Sequence, residues 1–133
     1  MEGMMLKYWA LLLIVFAFSA HADDATAPQA ERKILAKHDQ SGVPGKEIVI
    51  GTATFPAGSV IGFHTHPGDE SGYIVKGSVT VKIRGAPDKA LRAGDGFFNP
   101  RGSVHSVIAG PEGATVVATW IVDKDIPMSS PVP

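Results

Sequence analysis

Short runs of β-branched and aromatic residues, each closed by glycine or proline, recur from Lys46 to Val122 and limit this chain to a β architecture. KEIVIGTATF (Lys46 to Phe55) ends at Pro56-Ala57-Gly58. Ser59 to His66 ends at Pro67-Gly68, and Glu70 to Lys76 ends at Gly77. Ser78 to Arg84 alternates strictly, with Val79, Val81 and Ile83 on one face and Thr80, Lys82 and Arg84 on the other, as a half-buried strand requires. Shorter extended pieces are expected at Lys89 to Arg92 and Phe97 to Asn99. Two more follow at Val104 to Ile108 and Ala114 to Val122, separated by Gly110-Pro111-Glu112-Gly113. No part of this region carries a sustained helical period, and no segment is repeated. The pattern predicts a single all-β sandwich or barrel over residues 46–124, with an arm at 23–45 and an irregular Pro-rich tail at 125–133. A chain of 133 residues suits one such domain.

The first 22 residues read differently. Tyr8 to Ala20 is an uncharged apolar stretch of 13 residues preceded by Lys7. A spanning helix needs about 20, whereas this length suits the core of a signal peptide. Ala20-His21-Ala22 is a small-x-small cleavage pattern, followed by Asp23-Asp24. Residues 1–22 are therefore expected to direct export, leaving a periplasmic or secreted chain that starts at Asp23 and has no membrane attachment. With net charge −1 and no run of Lys or Arg, nucleic acid is not an expected partner. The chain has no cysteine, which removes disulfides, thiolate nucleophiles and Cys-based metal sites. Any metal or acid–base chemistry must use His, Asp, Glu or Tyr.

Those groups gather in one place. His64 and His66 are two apart in an expected strand, so both imidazoles point to one face. Glu70 follows a tight Pro67-Gly68 turn that can return its carboxylate to the same place, and His105 comes about 40 residues later. Asp69 is the competing carboxylate, although on an extended strand it faces away from Glu70. A mixed nitrogen and oxygen set suits one divalent transition metal (Fe, Mn, Ni, Co, Zn or Cu) and suits Mg or Ca poorly. Asp95, in a Gly-Asp-Gly turn, reads as structural. Tyr73 should face away from Glu70, and His38 should lie on the surface. Phe55, Phe63, Phe97, Phe98 and Trp120 are expected in the core or the pocket wall.

GSVIGFHTHPGDESGYIVKG (Gly58 to Gly77) resembles the first motif of the cupin superfamily, G-x5-H-x-H-x3,4-E-x6-G, at every fixed position. GDGFFNPRGSVH (Gly94 to His105) resembles the second, G-x5-P-x-G-x2-H. Where the family usually has Asn four residues after that His, this chain has Ala109. The resemblance implies a single jelly-roll β-barrel with the metal inside, bound by His64, His66, Glu70 and His105. It also implies that Gly58, Gly77, Gly94 and Gly102 stand where a Cβ would obstruct the backbone, and that the chain pairs as a homodimer. It names no reaction, because the fold hosts enzymes and binding proteins alike.

Four protein ligands on an octahedral ion leave about two positions for a chelating substrate. The expectation is a metal-dependent enzyme acting on a small oxygen-bearing molecule, by quercetinase-like dioxygenase chemistry or as a Lewis-acid isomerase or lyase. In either case Glu70 tunes the site or acts as a base. The alternative is a non-catalytic periplasmic module that binds a small ligand or metal. The short spacer from Ser78 to Ala93 leaves no lid, so the pocket should be open.

Overall fold

A computed structural model describes residues 28–133; the expected export segment lies outside them. Eight strands follow one another without a helix among the described residues: β1 (Glu31–Asp39), β2 (Lys46–Phe55), β3 (Val60–Thr65), β4 (Gly68–Ile83), β5 (Lys89–Arg92), β6 (Gly96–Asn99), β7 (His105–Asp123) and β8 (Ser130–Pro131). All pairings are antiparallel.

The two long strands β4 and β7 organise the barrel. The first half of β4 pairs with the second half of β7, Gly68 opposite Val122 through Gly77 opposite Ala114. After two register shifts its second half pairs with the first half of β7, ending with Ile83 opposite His105. Strands β1, β2 and β6 extend one half of the sheet, and β3, β5 and β8 extend the other. The inward residues of both halves share one core, in which Phe55, Ile74, Val79, Val81 and Val116 pack together. This is a jelly-roll β fold. Burying alternate positions of paired strands is its main source of stability.

Several expected boundaries shift. The breaks at Gly77 and at Gly110 to Gly113 are not strand ends; β4 and β7 run through them, because ladder pairing continues on either side. Part of the expected arm, residues 31–39, is the nine-residue strand β1, held by β2 alone and exposed throughout. The tail is also less irregular than expected, since β8 pairs with β3 at Thr65 and His64. Phe98 is exposed rather than in the core. At Gly58, Gly94 and Gly102 a Cβ would meet nothing within 4 Å, so the requirement there is the positive φ rather than obstruction; at Gly77 both apply.

Candidate metal centre

His64 on β3 is registered directly opposite His105, the first residue of β7, and His66 follows the end of β3. All three imidazoles are buried, with ring centroids 4.3 Å apart for His64 and His105, 4.9 Å for His64 and His66, and 5.3 Å for His66 and His105. One nitrogen from each lies within 4.8 Å of the others, close enough for the three to bind a single metal ion.

The backbone sets which nitrogen faces inward. The Nδ1 of His64 lies 2.8 Å from the Gly62 carbonyl, that of His66 2.7 Å from the Met128 carbonyl, and that of His105 2.9 Å from the Ser103 carbonyl. A carbonyl oxygen only accepts, so each Nδ1 carries the proton and donates, and each Nε2 is left with its lone pair. The Nε2 atoms of His66 and His105 are buried and have no hydrogen-bond partner. Buried polar atoms are normally satisfied. Unpartnered imidazole lone pairs converging on one point are the donor set that a divalent transition metal takes.

Glu70 on β4 is gripped from both sides. It is registered opposite Asn99 of β6 on one flank and Trp120 of β7 on the other, so the three side chains form one inward row. Asn99 Nδ2 donates to Glu70 Oε1 at 2.8 Å, and Trp120 Nε1 donates to Oε2 at 2.5 Å. His66 Nε2 lies 2.8 Å from Oε2, and His105 Nε2 lies 3.8 Å from Oε1. The 2.8 Å approach of His66 Nε2 to a carboxylate oxygen would set two electron pairs face to face, so a positive charge, a proton or a metal ion, belongs between them. Burial alone would raise the Glu70 pKa. Positive charge at the His66 position and the hydrogen bond from Asn99 outweigh it and hold the carboxyl down at about 2.

Burial also lowers both flanking imidazoles. His64 falls from an ordinary 6.5 to about 4, chiefly through desolvation, with smaller contributions from His105, His66 and Arg32. Burial likewise lowers His105. Both rings are therefore neutral at pH 7 and free to bind metal without first losing a proton.

These shifts carry a sign for stability. Between pH 6.5 and about 4 the unfolded chain protonates at His64 while the folded chain does not, so acid favours unfolding across that window. The metal-free protein is expected to show a lower urea midpoint at pH 5 than at pH 7. Equal midpoints would contradict the buried neutral imidazole.

The cavity beside the centre is narrow, about 40 Å³, room for a few water molecules. Its walls are mainly apolar, with Phe55, Ile61, Val107 and Trp120 among them, and Arg32, His64, Glu70, Asn99 and His105 as the polar groups.

All four expected site residues thus lie together. Asp69 faces away, accepting from the Arg101 amide at 2.9 Å. Asp95 accepts from the Arg92 amide at 2.9 Å, which is a turn contact, and Tyr73 is exposed. Three contributors were not legible as such. Asn99 looked like a strand end, Trp120 like wall, and Met128 lay in the supposed tail. Nothing local marked any of the three, because each role depends on chain segments far apart in sequence meeting in the fold.

The chain matches the family described as Cupin domain over residues 51–122, more than half its length, and belongs to that family. No curated protein matches it. Among solved structures it resembles KdgF from Halomonas sp., at 26% identity and TM-score 0.61, covering 75% of this chain and 84% of that one. It also resembles the DMSP lyase DddQ from Ruegeria pomeroyi, at 21% identity and TM-score 0.66, covering 90% of this chain and 59% of that one. An oxalate oxidase in complex with the substrate analogue glycolate matches at 23% identity and TM-score 0.61, covering 82% of this chain and 63% of that one.

Proposed function

We propose that this cupin holds one divalent transition metal through His64, His66, His105 and Glu70, and uses it in an enzyme acting on a small oxygen-bearing substrate. The observation that carries the reading is the set of three Nδ1···O=C contacts, together with one nitrogen from each ring lying within 4.8 Å of the others. A bound divalent ion would supply Lewis-acid polarisation of a substrate oxygen. The chain's own part is to orient the donors, to exclude bulk water with Phe55, Ile61 and Val107, and to keep Glu70 ionised between Asn99 and Trp120. A carboxylate fixed by two donors is better suited to hold a metal and set its charge than to leave and take a proton.

The solved neighbours include a lyase and an oxidase, so the fold is compatible with enzyme chemistry but selects no one reaction. A non-catalytic binding module draws support from a different feature, since among the described residues Glu70 is the only carboxylate lining the cavity. The export segment at residues 1–22 would place the centre in a periplasm or outside the cell, and exposed Tyr73 and Phe98 favour the homodimer.

The test is to load the protein with Co(II) and titrate it with small phenols, enols and hydroxamates, following the visible spectrum and then oxygen uptake. Spectral change with turnover supports the enzyme. Spectral change without turnover in any assay, or no change at all, favours the binding module.

A further inference from the structure

The cavity beside the histidines has a second charged wall. Arg32 on β1 is registered opposite Ala53 of β2, whose small side chain belongs to the core, so Arg32 stands on the inward side of its strand. It lines the cavity together with His64, Glu70 and His105, yet remains exposed to solvent, which places it where the cavity opens. A groove lined by Arg32, Ile61, Gly62, Phe63 and His64 continues outward from the same point.

Among the described residues no carboxylate pairs with Arg32; the ion pairs there involve Lys37, Lys46, Arg101, Lys124 and two histidines. Among the described residues Glu70 is the one anion in the cavity wall, and it is already held by Asn99 and Trp120. A planar guanidinium, always charged, at an apolar cavity and unpaired by any described carboxylate is suited to bind a carboxylate through two parallel hydrogen bonds. Apolar walls strengthen its field along the cavity.

We infer that Arg32 is a specificity-determining residue, and that the substrate is a small carboxylic acid whose oxygen-bearing end meets the histidines while its carboxylate pairs with Arg32. This rests on the metal-centre reading for one end of the substrate only. The other end depends on Arg32 alone.

The probes are acetohydroxamate and succinic acid monohydroxamate, which share a chelating head and differ by a remote carboxylate. Dissociation constants are read from the visible spectrum of the Co(II)-loaded protein. The carboxylated probe is expected to bind about tenfold more tightly, as a charge-assisted pair allows. Arg32→Gln should remove that preference while leaving cobalt content and acetohydroxamate affinity unchanged. Added salt should weaken only the carboxylated probe. A preference that survives Arg32→Gln, or no preference in the unaltered protein, overturns the inference. If the protein takes up no cobalt, the metal reading fails, and calorimetry of the metal-free protein with succinate decides the anion site separately. Arg32-dependent binding supports it, and its absence overturns it.

Discussion

Replacing His105 with alanine is expected to weaken metal binding by at least about 100-fold, the upper end of what losing even a supporting group costs a metal site. His105 is 1% exposed, lies opposite His64 in the strand register, and presents an unpartnered Nε2 to the centre. No other described histidine can replace it, since His38 lies on the exposed strand β1. The barrel should survive, because the apolar core is elsewhere, although the Ser103 carbonyl loses its donor at a cost of about 1–3 kcal/mol. Equilibrium dialysis against Zn(II) with elemental analysis gives the affinity, and circular dichroism checks the fold. His64→Ala should behave alike. Retention of one ion per chain by a folded His105→Ala protein would remove His105 from the site.

Gly77→Ala is expected to destabilise the protein by more than about 4 kcal/mol, the range reserved for severe backbone or core damage. Two costs combine there. Gly77 has φ +73, a conformation that costs an L residue about 1–2 kcal/mol. In addition, a Cβ would stand 1.9 Å from the Gly113 carbonyl oxygen and 2.9 Å from the Ala114 Cα, both on the paired strand β7, where neither can retreat without parting the ladder. Gly85→Ala separates the two costs. Its φ is +78 and its Cβ would meet nothing within 4 Å, so only the conformational cost of about 1–2 kcal/mol should appear. Urea denaturation of both variants measures the difference. Similar midpoints would mean that β4 and β7 do not approach as closely as described.

The site was more legible in the sequence than its surroundings. His64 and His66 announce themselves because strand periodicity puts alternate residues on one face, and Val79 and Val81 were found inside for the same reason. β1 reads as arm because no position in it is buried, so no apolar alternation marks it or Arg32 within it. The clamp of Asn99 and Trp120 on Glu70 depends on register between strands far apart in sequence, which a single strand's pattern does not encode. The Met128 carbonyl that orients His66 is a backbone atom, and its role is independent of the side chain at that position. Gly77 and the Gly110 to Gly113 stretch read as turns because glycine can mark an irregularity within a strand as well as its end.

The central claim is that His64, His66 and His105 are held as Nδ1–H tautomers whose Nε2 atoms together bind one metal ion. Nitrogen-15 NMR of the histidine rings, with Zn(II) added to the metal-free protein, tests it directly. The account predicts protonated Nδ1 on all three rings before metal, and shifts at all three Nε2 atoms that saturate together at one equivalent. Protonated Nε2 on His64 or His105, or Nε2 signals that ignore the added zinc, would contradict it.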